Sequence, residues 1–454
     1  MRITLTRWHL ATLLPFFIFL HTTTKAQVPK GDRTLAWQVD MAENMNYDSA
    51  YSYALDGCME SIHLFFPWSS IEPTAGTFDA AYIAQTLDII DIYHPAFGIK
   101  AELQLAPINT TQREVPADLA NVSWDSPQMI SRFKTFLDTI FAHIPNLELA
   151  ALNIGNESDI YFANDLSQYA TFTTFLDSIT PYAKQLYFNL HGSDLKVGTT
   201  LTHEGLTSIL SYNFCQGLVA NRDILSVTYY PLDYDYSMKP PSTVAGDFSA
   251  LVTLFPDTAQ PIYFVECGYA SSDSISSEAL QAQFYQNVFT EWDAHYDRIK
   301  YLTIFKTNDW SQAEVDTLVS YYGLIDPNFR EYLLTLGVRT WDGNGTAKLA
   351  YDVINCELDA RGWCQTNCVG VGVDEAVVQD LEVYPNPAVE RVAVSSGKRI
   401  SEVEIYDQMG KMVRTSGPGR YIDVSSLPAG MYHVRVKYAN GMQESKPLLK
   451  ASGF

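Results

Sequence analysis

The sequence predicts an α/β chain: a (β/α)8 TIM barrel followed by a small all-β sandwich. Three observations predict it. Between Gln27 and Cys368, eight short apolar runs alternate with longer amphipathic stretches, the rhythm of parallel strands joined by crossover helices. Two of those runs, Leu152-Asn153-Ile154-Gly155-Asn156-Glu157 and Pro261-Ile262-Tyr263-Phe264-Val265-Glu266-Cys267-Gly268, pass into a carboxylate where strand gives way to loop, the end at which such barrels gather polar groups. Beyond Cys368 the pattern changes to short runs of alternating apolar and polar residues, as in half-buried antiparallel strands.

The elements follow in order. Residues 1–26 carry Arg2 and Arg7, an apolar run from Leu10 to Leu20 and the small-residue site Thr24-Lys25-Ala26, which together read as a secretory signal peptide. That run is shorter than the ~20 residues a membrane span needs, and no later segment is apolar enough to span. Residues 27–368 form the barrel, with strands expected at 34–40, 60–66, 98–106, 147–154, 195–201, 224–230, 261–267 and 301–306. Ala80 to Tyr93, Pro127 to His143, Leu166 to Leu190 and Ser277 to Ile299 repeat apolar residues every three or four positions and read as helices. Residues 369–379 are a linker that includes Val369-Gly370-Val371-Gly372-Val373, and 380–454 are the sandwich, with strands at 383–384, 392–394, 403–406, 421–424 and 432–436.

Six cysteines in an exported chain are disulfide candidates, and the close set Cys356, Cys364 and Cys368 is expected to staple the end of the barrel. No histidine lies near that set, and His63, His191 and His203 have no ligand spacing, so no metal and no organic cofactor is implied. The net charge of −22 repels nucleic acid and anionic membranes, whereas a neutral polysaccharide is indifferent to it.

Two carboxylates facing one sugar are the minimum equipment for breaking a glycosidic bond. With Glu157 after the fourth strand and Glu266 ending the seventh, Gly155-Asn156-Glu157 and Phe264-Val265-Glu266 resemble clan A of the retaining glycoside hydrolases. The resemblance implies Glu157 as acid/base and Glu266 as nucleophile. It also implies a 2-hydroxyl contact from Asn156, a hydrogen bond from Tyr230 to Glu266, and Trp310 and Trp68 as sugar-binding aromatics. Trp68-Ser69-Ser70-Ile71-Glu72-Pro73 is similar to the loop after the second strand in several clan A families. Asp223 to Pro231 resembles the sixth strand of the endo-β-1,4-galactanase family. That family has arginines after its second strand and Asp-x-His after its third; this chain has His63-Leu64-Phe65-Phe66-Pro67 and Leu103-Gln104-Leu105-Ala106-Pro107. Alternation along the seventh strand puts Phe264, Glu266 and Gly268 on one face and Val265 and Cys267 on the other.

In the tail, Tyr384-Pro385-Asn386-Pro387, Ile405 to Lys411 and Leu427-Pro428-Ala429-Gly430-Met431-Tyr432 resemble the C-terminal sorting domain of the type IX secretion system. This implies export across the outer membrane, with the secretion machinery as partner. The expected function is a secreted retaining glycoside hydrolase acting on a polysaccharide or oligosaccharide; the alternative is a secreted glycan-binding or structural barrel without hydrolase activity.

Overall fold

The computed structural model describes residues 28–163, 165–366 and 368, and further on 381–396, 400–407, 411–417, 421–438 and 443–451. The expected signal peptide, 1–26, and linker, 369–379, lie outside the described residues. The chain divides into two compact units, Met1–Val371 and Gly372–Phe454.

The first unit is a parallel barrel. Its strands are Thr34–Trp37, Ser61–Pro67, Lys100–Asn109, Leu149–Asn156, a fifth in two pieces, Leu225–Tyr229, Ile262–Cys267 and Ile299–Ile304. The eighth strand pairs with the first. The ring closes through the fifth strand: Val197–Gly198 pairs with the fourth, Thr200–Thr202 with the sixth, and Thr199 breaks the run expected at 195–201. Gly198 is required there, because a Cβ would lie 2.5 Å from Asn153 Oδ1 and 2.6 Å from Ser226 Oγ, two groups that meet inside the barrel.

Ala36, Ala151, Ile224, Tyr263, Val265 and Tyr301 form one cluster of buried side chains on the inward face of the strands. The outward faces pack on helices. In Pro127–His143, Ser126 caps the first turn by accepting from Gln128 N, and Met129, Phe133, Phe136, Leu137 and Ile140 fall on the buried stripe.

The seventh strand departs from simple alternation. Val227 faces Phe264 across the sixth strand, yet the next residue, Thr228, faces Glu266, so the seventh strand carries one extra residue, a β-bulge. Phe264 therefore stacks outward on Phe248 at 4.4 Å, while Val265 joins the inner cluster and Glu266 turns toward the inside of the mouth. The expected grouping of Phe264 with Glu266 is thus corrected, because a period of two does not survive an inserted residue.

The connection after the eighth strand, residues 305–348, is unusually long for a barrel turn and holds two helices, Gln312–Tyr322 and Pro327–Leu334. A capping box between Ser311 and Glu314 starts the first, and Gly323 ends it in the left-handed conformation. The connection is bonded to several other loops. Glu43 N after the first strand donates to Trp341 O at 2.9 Å, and Tyr321 Oη lies 3.0 Å from Asn109 Nδ2 and 2.7 Å from Glu114 Oε1 after the third. Asn328 Nδ2 donates to Asp235 O at 2.8 Å after the sixth strand, and Ser272 N to Thr335 Oγ1 at 3.1 Å after the seventh.

Cys356 pairs with Cys368, a local staple, but Cys364 pairs with Cys58, 306 residues away in sequence. Cys215 and Cys267 are buried free thiols. No described helix is long and apolar enough to cross a membrane.

The second unit has two antiparallel sheets. One orders Glu382–Tyr384, Arg391–Ser395 and Tyr421–Asp423; the other orders Met412–Ser416, Ile400–Asp407, Gly430–Tyr438 and Gln443–Lys450. Met412–Ser416 and Gln443–Lys450 were not expected as strands. Both lie at sheet edges, where polar residues and Pro447 are tolerated.

Replacing Cys58 and Cys364 together by Ser releases a very long loop in the unfolded chain, and the barrel is expected to lose about 3–5 kcal/mol. Urea unfolding of the parent and the double variant measures the difference; matching midpoints and slopes would deny this bridge any part in stability.

Candidate active site

Glu157 and Glu266 stand at the C-terminal mouth of the barrel, and local backbone geometry aims each of them. Glu157 has a left-handed backbone (φ 47°, ψ 44°) at the start of the short helix Ser158–Phe162. Gly155, at φ 88°, makes the turn before it possible, since a Cβ there would lie 2.7 Å from Ser158 Oγ. Such strain in a non-glycine residue persists where its surroundings fix it. Here Thr110 Oγ1 donates to Glu157 Oε2 at 2.8 Å, and Thr228 Oγ1 to Oε1 at 2.7 Å. Thr228 is also the cross-strand partner of Glu266, so a single threonine connects the two carboxylates.

Glu266 is 9% exposed and accepts a hydrogen bond from Tyr230 Oη at 2.6 Å, as the sequence led us to expect for this pair. On its other side His63 Nε2 lies 3.9 Å from Glu266 Oε1. His63 Nδ1 is held by Glu102 Oε2 in a short contact. Glu102 Oε1 accepts from Asn153 Nδ2 at 2.6 Å, and Asn153 Oδ1 accepts from Ser226 Oγ at 2.6 Å. This fully buried polar chain runs from the second strand to the sixth through the barrel interior. Neither His63, which lacks ligand spacing, nor Glu102 stands out in the sequence as part of a site. The available signal was ionisable residues, His63 and Glu102, inside apolar runs of strands buried on both faces.

The electrostatics follow from these neighbours. Burial raises the Glu157 carboxyl above its ordinary range, opposed by the Thr228 and Thr110 hydroxyls. Burial also pushes Glu266 up to about 7, opposed by His63 and reinforced by Glu157. For His63 burial disfavours the charge, but Glu102, with help from Glu266, outweighs it and holds the imidazole above its usual range.

The remaining expected residues are not all at the mouth. Asn156 is buried beside the pair; its Nδ2 donates to Asn109 Oδ1 at 3.0 Å, and its own Oδ1 is buried with no partner. Trp310 lies six residues beyond the end of the eighth strand, half-buried, with Lys306 Nζ 3.5 Å from its ring centre. Trp68 does not line the mouth. It is 0% exposed, packs against Phe133 and Phe136, and donates Nε1–H to Glu72 Oε2 at 2.8 Å, so both its faces and its polar edge are occupied by the protein core. From the long connection, the Tyr332 ring packs edge-on at 5.8 Å against Tyr230, the donor to Glu266; burial, reinforced by the two carboxylates, raises the Tyr322 and Tyr332 phenols well above their ordinary range. Among the described residues no three His, Cys, Asp or Glu side chains converge to hold a metal ion.

Known proteins resemble the two units separately. The family model described as the secretion system C-terminal sorting domain matches residues 382–450. No curated protein matches the chain. An exo-β-1,4-mannosidase from Opitutaceae bacterium strain TAV5 is 14% identical over 73% of this chain, with a TM-score of 0.52. This chain covers 59% of that enzyme, less than two thirds of its length. A GH5_18 protein from Bifidobacterium longum subsp. longum, solved with Manβ1-4GlcNAc, is 12% identical over 74% of this chain and 80% of its own, with a TM-score of 0.55. Its counterpart from Streptomyces cattleya, solved with the same disaccharide, is 13% identical over 73% and 81%, with a TM-score of 0.54. At these identities the likeness is one of fold. Residues 382–450 thus belong to the sorting domains of type IX secretion, which mark the chain for export, and the unit before them has the (β/α)8 fold seen in glycoside hydrolases.

Proposed function

We propose that the barrel is a retaining hydrolase of β-glycosidic bonds working by double displacement on Glu157 and Glu266. One observation carries this reading: two carboxylates, Glu266 buried and Glu157 partly buried, share the mouth of the barrel in unlike surroundings. Glu157 has only neutral donors, so burial favours its protonated form. Glu266 has a basic imidazole and a phenol, both of which favour the carboxylate. With Glu157 holding its proton, the repulsion on Glu266 disappears and Glu266 ionises, the division of labour that acid and nucleophile require.

In the first displacement a Glu266 oxygen bonds to the anomeric carbon as the glycosidic C–O bond breaks, and the proton of Glu157 passes to the departing oxygen. In the second, Glu157, now a carboxylate, takes a proton from water. The water oxygen bonds to the anomeric carbon, and Glu266 leaves with its electron pair. Two inversions return the original configuration. Asn156 Oδ1, buried and without a partner beside Glu157, is the acceptor we assign to a sugar hydroxyl, which reaches it only if the side chain shifts on binding. Trp310, half-buried beyond the eighth strand, is the aromatic we assign to the sugar.

Glu157→Gln is expected to slow release of reducing ends from β-linked polysaccharides by about 10²–10⁴-fold, with a larger loss for Glu266→Gln. A parent protein that binds such glycans but releases no reducing ends would instead favour the capture reading. His63→Gln removes a positive charge that favours ionised Glu266, so the acidic limb of the pH–rate profile should move to higher pH by about 1 unit. A limb that stays in place would mean His63 does not tune Glu266.

A further inference from the structure

We infer that the site is a blind pocket taking the non-reducing end of a β-linked chain, not a groove crossed by its interior; this rests on Glu157 and Glu266 being the hydrolytic pair. The observation is the long connection after the eighth strand. It is bonded to the loops after the first, third, sixth and seventh strands. Through Glu114, which accepts from Tyr321 at 2.7 Å and whose backbone O accepts from Ser69 N at 3.1 Å, it also engages the loop after the second. Among the described residues, the loops after the fourth and fifth strands alone are bonded to it neither directly nor through Glu114.

A wall bonded directly at four of the seven other strand ends, and through Glu114 to a fifth, has one gap. The same wall packs Tyr332 edge-on at 5.8 Å against Tyr230, whose hydroxyl donates to Glu266, so it stands one ring away from the reacting centre. A polysaccharide threaded through the mouth needs two openings on opposite sides, and only one sector is free. That sector belongs to the fourth strand, whose end carries Glu157. Glu157 protonates the departing oxygen, so the leaving portion of the chain extends through the gap, while the sugar attacked by Glu266 sits against the closed side with nothing beyond it. Such a pocket accepts a terminal sugar and releases it singly.

Paired hexasaccharides of β-1,4-mannan, galactan and cellulose test this, each with its non-reducing end either free or blocked by a 4,6-O-benzylidene group. The parent protein should trim free chains one sugar at a time and cut blocked ones at least 100-fold more slowly. Internal cleavage of both forms at similar rates would overturn the pocket and leave the hydrolase reading intact. If neither form is cut, calorimetric binding decides. At least tenfold tighter binding of a free chain than of its blocked partner would sustain the pocket while removing the hydrolase reading, whereas equal binding, or none to any pair, would overturn the pocket.

Discussion

The mouth of this barrel is organised around the cost of placing a buried carboxylate, Glu266, beside a partly buried one, Glu157. An isolated buried carboxylate is expensive, and two close together compound the penalty. Each neighbour of the pair offsets part of it. The Thr110 and Thr228 hydroxyls reach Glu157, the Tyr230 hydroxyl reaches Glu266, and the His63–Glu102 pair supplies basic character without introducing a permanent cation. Removing any one of them leaves a larger share of the burden on the others. The polar chain through the barrel interior is therefore best understood as support for the mouth. Its inner end, Ser226, meets Asn153 across Gly198, where any side chain would break the link.

The long connection after the eighth strand belongs to the same economy of contacts. It packs Tyr332 against Tyr230, the donor to Glu266, and so brings an uncharged phenol ring to this side of the site. Its helices are well defined at both ends, Ser311 and Gly323 for the first, Asp326 and Pro327 for the second, so the wall is a folded piece and not a loose loop.

Much of this was legible in the sequence. Strands buried on both faces leave apolar runs, so all eight fell near their observed positions, with errors mainly at their ends: the eighth lies at Ile299–Ile304 rather than 301–306, and the fifth is interrupted at Thr199. Glu157, Glu266 and Tyr230 were readable because they sit just where those runs stop. Thr110, Tyr322 and Tyr332 were not, since a threonine in a loop and tyrosines in amphipathic helices look the same whether they face a site or a core. Trp68 misled for the reverse reason: its flanking loop matched a familiar pattern, but Glu72 in that same pattern takes its indole hydrogen and holds it inside. The cysteine cluster suggested one local staple, and only tertiary structure could pair Cys364 with a residue as distant as Cys58.

The bulge in the seventh strand has a consequence for the height at which Glu266 stands. A regular strand ascends about 3.3 Å per residue, and each inserted residue lifts all that follows by part of that step while changing which side it faces. Val265 acts as a shim beneath Glu266. It brings the carboxylate level with Thr228, and so with Glu157 on the far side of that threonine, while leaving Cys267 turned outward into the apolar shell. The vertical alignment of the two acids is thus set by the residue count of one strand as much as by the identity of the acids themselves.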